Sequence, residues 1–133
     1  YAERYVTHLI IESKTLIDIA NKRILPAGVK YSNLLSDNIT KNEKYGKEFV
    51  EEQEVLLKHI LKNISAIRKE TRNIEKNITE IKNEKDLGRQ TDLAQEKLVS
   101  GLHLLRIPCD ELERITDYSI WPLPTYKALL FKL

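Results

Sequence analysis

The chain has 133 residues, 41% of them hydrophobic and 32% charged, and its 22 Lys and Arg against 20 Asp and Glu leave a formal net charge of +2. That length and balance suit a single domain with a real core and exclude a disordered chain. The near-neutral charge gives no reason to expect a nucleic-acid or membrane partner. One cysteine cannot form an internal disulfide. The longest apolar run, Ala128 to Phe131, falls far short of the roughly 20 residues of a membrane span. A soluble, cytoplasmic chain is expected. There is no methionine, and Tyr1 opens within a helical pattern, so a piece of a longer protein is expected as well.

Four Gly and four Pro divide the chain, and the pattern between them is helical. From Tyr5 to Ile24 the apolar residues Val6, Leu9, Ile10, Leu16, Ile17, Ala20 and Ile24 recur at three- and four-residue spacing, the stripe of an amphipathic helix. Pro26 suits the first turn of a second helix, because its missing N–H has no partner there anyway. Val29, Leu34, Leu35 and Ile39 continue an apolar face that should fade near Thr40 to Lys44. Residues 1–45 therefore read as two helices joined at Pro26.

A much longer helix is expected from Lys47 to Lys85. Alternating steps of three and four residues from Val50 land on Gln53, Leu57, Ile60, Ile64, Ile67, Thr71, Ile74, Ile78 and Ile81, a coiled-coil-like seam. Leu56 and Leu61 widen the stripe early, and after Ile67 only the seam remains, which suggests bundle packing followed by a projecting hairpin. Glu48, Glu51, Glu52 and Glu54 crowd the start while Lys82 and Lys85 sit at the end, as the helix macrodipole favours. Asp86, Leu87 and Gly88 form the expected tip, with Gly88 able to take the left-handed conformation that stops a helix. Leu93, Ala94, Leu98, Leu102 and Leu105 then form the stripe of a returning antiparallel helix, so residues 47–107 read as a long helical hairpin. Pro108 should kink or restart that helix, with Leu112 and Ile115 carrying it on. After Ser119 come Ile120, Trp121, Pro122, Leu123, Pro124, Thr125 and Tyr126. Two prolines forbid a helix there, so 108–133 reads as a last helix and an extended tail, with a short turn from Tyr126 to Phe131. The fold expected is an all-α antiparallel helical bundle with a long projecting hairpin and a Trp/Pro-containing tail, in one domain over 1–133.

Little in the sequence offers chemistry. His8, His59 and His103 lie in different helices, without i, i+4 pairing or a Glu-x-x-His unit. Cys109 reads as a buried, inert thiol. There is no glycine-rich phosphate loop, nucleophile elbow or Cys pair. Lys58, Lys62, Lys69, Arg72 and Lys76 form a basic stripe opposite the seam, but without interleaved aromatics to stack bases it reads as a solvated face. Sequons begin at Asn38, Asn63 and Asn77, with Ile39, Ile64 or Ile78 in the middle of each, and read as chance. No catalytic, cofactor-binding or metal-binding residue is assigned. The candidate packing and assembly residues are Trp121, Pro122, Pro124, Tyr126, Leu129, Leu130 and Phe131 of the tail, with Leu57, Ile60, Ile64, Ile67, Ile74, Ile78 and Ile81 of the seam. The seam could serve its own hairpin or, in the alternative reading, make the chain a helical adaptor or dimerisation module. A third reading is a nucleic-acid-binding hairpin that uses the basic stripe.

Two stretches carry a resemblance: Ser13 to Ala27, with Ile24, Leu25, Pro26 and Ala27, and Cys109 to Phe131, with Asp110, Leu112, Glu113, Trp121, Pro122, Pro124 and Tyr126. They resemble the C-terminal end of type III glutamine synthetases, the large-subunit class, and cover about the first and last quarters of the chain. Pro108 departs from the unbroken helix of that pattern. The resemblance implies a parent enzyme that joins ammonia to glutamate with ATP and a divalent metal (Mg or Mn), through a γ-glutamyl phosphate, in a ring-shaped homo-oligomer. It implies no catalytic residue in this chain. Its partners would be the catalytic body of the same chain and neighbouring subunits, with neither nucleic acid nor membrane.

Overall fold

The computed structural model describes residues 1–123, which are mostly helical between Ala2 and Ile115 and contain no strand. The first rod is α1 (Ala2–Ile19), a π-helical turn (Ala20–Ile24) and α2 (Leu25–Asn42). Right-handed helical dihedrals at Ile19, Ala20, Ile24 and Leu25 carry it through both joints without a break. The two helices expected to meet at Pro26 are therefore one rod, about 60 Å long at 1.5 Å per residue. A physical reason lies in the wide turn just before the proline. Leu25 N–H bonds to Ala20 O, five residues back. That register loosens the helix where the Pro26 ring would otherwise press on the preceding turn.

Two short 3-10 turns, Glu43–Tyr45 and Lys47–Phe49, reverse the chain around Gly46. Gly46 has φ +138°, a conformation that only glycine adopts readily. From there α3 (Glu51–Asn83) runs back along the first rod, with Glu51, Glu52 and Glu54 in its first turn and Lys82 in its last. Asp86 opens α4 (Leu87–Leu93) by accepting the Arg89 N–H at 3.0 Å. Gly88, expected as a left-handed stop, lies inside α4 with ordinary helical φ. The tip is thus made by an aspartate that begins the next helix rather than by a glycine that ends the previous one. A second π-helical turn (Ala94–Leu98) leads into α5 (Val99–Ile115).

Pro108 does not restart the last helix, since α5 passes through it. The ring removes the hydrogen bond to Leu104 O, but Leu105, Cys109 and Leu112 are buried on either side and hold the helix to the core.

The three rods run down, up and down. Gly28 of α2 faces Ile64 of α3 and Leu112 of α5, whereas Ile17 of α1 shares a groove with Ile78 of α3. The hairpin therefore does not project: α1 lies along its outer half and α2 along its inner half. Ile74 and Ile81 are fully buried, as are Ala20, Ala94 and Leu98 opposite them. The narrow stripe beyond Ile67 suggested an unsupported arm because it lacks flanking leucines. Small residues make the difference. Ser13 and Ala20 on the first rod, with Ala94 and Gly101 on the last, are buried and let the backbones close in until one file of isoleucines fills the space. Ser13 hides its hydroxyl by donating to Leu9 O at 2.7 Å, and Thr71, the polar step in the seam, donates to Arg68 O at 2.9 Å.

The tightest approach is at Gly101, where a Cβ would lie 3.0 Å from Ile74 Cγ1. Gly101→Val should lower stability by about 1–3 kcal/mol through overpacking, seen as a fall in melting temperature. Combined with Ile74→Ala it should cost less than the two single changes together, because the shortened side chain vacates the contested space.

Candidate functional site

The expected assembly residues divide into three groups. Ile60, Ile64, Ile67, Ile74, Ile78 and Ile81 are buried inside the chain's own bundle, and Leu57 is half-buried against it. This removes the adaptor reading, in which the seam from Leu57 to Ile81 is a partner surface: α1, α2 and α5 already occupy it. Trp121 is buried and packs into the core, while Pro122 is exposed. Ile120 and Pro122 line a shallow groove with Pro26, Ala27 and Lys30 of α2, so the start of the tail lies along the first rod. Among the described residues, Trp121 Nε1 and Thr116 Oγ1 are buried without a hydrogen-bond partner. Pro124, Tyr126, Leu129, Leu130 and Phe131, with the expected turn from Tyr126 to Phe131, lie outside the described residues.

A polar cluster that the sequence reading missed ties α3 to α5. His59 Nε2 lies 2.8 Å from Glu111 Oε1, and Glu111 also takes hydrogen bonds from Arg114 one turn on. Arg114 first, and His59 second, hold the Glu111 carboxyl down at about 2. The i, i+3 spacing of Glu111 and Arg114 could be read from the chain, but the 52-residue separation of His59 from Glu111 could not. A histidine against a carboxylate is half of a catalytic arrangement, yet none of the cluster's bonds reaches a hydroxyl or thiol to activate. Cys109, two residues before Glu111, is buried, and its thiol is pushed up to about 12 by that burial and then by the charge of Asp110. It stays protonated and unreactive near neutral pH.

Nearer the tip, Lys97 Nζ bonds both carboxylate oxygens of Glu80 at 2.9 and 3.1 Å, a second link from α3 to the returning rod. Lys14 of α1 presses on Lys82 of α3 across their shared groove and lowers the pKa of that ammonium. Of the sequon asparagines, Asn38 is exposed while Asn63 and Asn77 are half-buried. No group of three or more His, Cys, Asp or Glu among the described residues is placed to hold a metal ion. No described helix is long and apolar enough to cross a membrane. What the arrangement offers is a bundle with ion-paired sides and the start of the tail, Ile120 and Pro122, laid on its first rod.

Residues 1–43, the whole first rod and its end, match the family model of the glutamine synthetase C-terminal domain. The chain is 34% identical, over 137 aligned positions, to a glutamine synthetase of Bacteroides fragilis (strain YCH46). That alignment takes in 97% of this chain and 18% of the relative, so the chain spans under a fifth of the curated relative's length.

The cluster's contribution to stability should depend on acid. Because folding lowers the Glu111 pKa from its ordinary 4.5 to about 2, the stabilisation is complete above about pH 5 and is lost as pH falls from there toward 2. Glu111→Gln should therefore lower the melting temperature at pH 6 and flatten the loss of stability between pH 5 and 2, as followed by circular dichroism across that range.

Proposed function

We propose that this chain is the C-terminal helical domain of a glutamine synthetase of the type III, large-subunit class, and that it serves the packing and assembly of subunits rather than the reaction itself. The observation that supports this most directly is the pairing of the family match over residues 1–43 with a 34% identity that runs through nearly the whole chain. The motifs shared with the type III class lie at the two ends of that aligned length, around Pro26 and around Trp121. The parent would join ammonia to glutamate with ATP and Mg or Mn, in the cytoplasm, as a homo-oligomer.

The reaction is assigned to the part of the parent outside this chain, because the resemblance carries no catalytic, nucleotide or metal residue onto these positions; Glu111 is engaged by His59 and Arg114. The domain's contribution would be mechanical. A bundle with a continuous core can carry load from the catalytic body to a neighbouring subunit, and Ile120 and Pro122 lie against its first rod.

Two measurements test this. The complete open reading frame that includes these residues should release ADP in a manner dependent on ammonia and glutamate, while the 133-residue chain alone should release none. An inactive complete protein would overturn the assignment. In the complete protein, Trp121→Ala with Tyr126→Ala should lower the oligomer's melting temperature and shift its mass distribution toward smaller species, because removing a buried indole costs about 3–5 kcal/mol. Unchanged assembly would refute a structural role for the tail.

A further inference from the structure

Where α1 lies along the outer half of the hairpin, the first rod and α3 leave a groove of about 450 Å³ between them. Its floor is apolar, since Ile17 of α1 and Ile78 of α3 are buried there. Its rim is polar, with Lys14, Asp18 and Asn21 on one side and Glu75, Thr79 and Lys82 on the other. Part of that rim is already engaged. Asp18 pairs with Lys22 at 2.9 Å, and Thr79 donates its hydroxyl to Glu75 O at 3.2 Å. Lys14 and Lys82 are exposed, and neither joins an ion pair with Asp18, with Glu75 or with any other carboxylate among the described residues.

The two lysines face each other instead. Contact with the Lys14 side chain is the largest cause of a lowered Lys82 pKa, followed by the charge of Lys14 and then by lost hydration. Two like charges side by side disfavour holding both protons, so Lys82 is a neutral amine more of the time than a lone surface lysine is. A neutral amine is a nucleophile, and a neighbouring cation is one of the ways in which a lysine is activated. The second lysine has a use as well. A positive charge at Lys14, on the path to Lys82, favours an electrophile that is itself an anion. A free amine, a cation beside it and an apolar floor together suit one class of reagent, a small acyl phosphate.

We propose that Lys82 is a site of acylation by small acyl phosphates, with Lys14 holding the phosphate and the groove over Ile17 and Ile78 receiving the acyl chain. The Lys82 nitrogen attacks the acyl carbon and forms a C–N bond. The C–O bond to phosphate breaks, its electron pair leaves with the phosphate, and the surplus proton on nitrogen passes to that phosphate. Nothing is oxidised or reduced. The amide that results carries no charge, so the repulsion between positions 14 and 82 ends. The inference goes beyond the packing role proposed above and does not depend on the parent's reaction.

The test treats the complete protein that contains these residues with acetyl phosphate to low conversion, cleaves it at glutamate, and scores each lysine by mass spectrometry. Lys82 should be acetylated at least about fivefold faster than Lys62 and Lys69, which are exposed on the same helix. Equal rates would overturn the proposal. Lys14→Met, which removes the charge and keeps an unbranched chain, should bring Lys82 down to about the rate of Lys62. Lys14→Arg should keep most of the preference, because the charge remains. If Lys82 reacts at the same rate in both variants, Lys14 has no part in the site. Acetic anhydride has no phosphate to hold, so with it the preference for Lys82 should be at least about threefold smaller. An undiminished preference would rule out a phosphate held by Lys14. Position 14 is exposed, so the melting temperatures of the variants before treatment separate misfolding from lost reactivity. ADP release by the untreated protein reports the glutamine synthetase reading separately, and either result there leaves the labelling outcome intact.

Discussion

Everything in this molecule leans on the file of isoleucines along α3. Ile60, Ile67, Ile74 and Ile81 are each fully buried, at seven-residue intervals over most of the helix. A helix that buries one narrow stripe gains stability only if partners enclose that stripe along its whole length. The first rod and the last do so, one from each side. The core is consequently a column rather than a ball. Each level of it is a small layer of two or three side chains, and the stability of the whole depends on no level being left open.

The layers are kept thin by small residues. Ser13, Ala20, Ala94 and Gly101 stand where larger side chains would push the rods apart, and the contact of Gly101 with Ile74 has no room left. The π-helical turns belong to the same economy. One sits ahead of Pro26 and spares the first rod a break, and one precedes α5 as that rod turns Ala94 and Leu98 onto the isoleucines. The polar links from His59 to Glu111 and from Lys97 to Glu80 lie outside this column, half in water, and add register between α3 and the returning rod more than strength.

The polar groups of this rod are spread along its sides. Its described surface holds no metal-binding group, and its one thiol is buried and protonated. Charges of both signs stand along α3, and Tyr45 and Phe49 are exposed beside its start.

The helices, their amphipathic faces and the identity of the core file are legible in one dimension, because three- and four-residue periodicity is a local property. Ile60 to Ile81 fall on that file by spacing alone, and Cys109 is buried as its residue type suggests. The motifs around Pro26 and Trp121 carry a resemblance to glutamine synthetases, and the first of them lies within the residues that match that family's C-terminal model. That the hairpin is covered and not projecting, that Pro26 and Pro108 sit inside unbroken rods, and that His59 meets Glu111 are outcomes of long-range packing. Each of these depends on which distant segment comes to lie alongside: small residues on α1 and α5 opposite a narrow stripe, packing strong enough to carry a helix past a missing hydrogen bond, and two polar side chains brought within 2.8 Å across 52 residues of chain. Periodicity shows which face of a helix will be buried, but it carries no record of what will bury it.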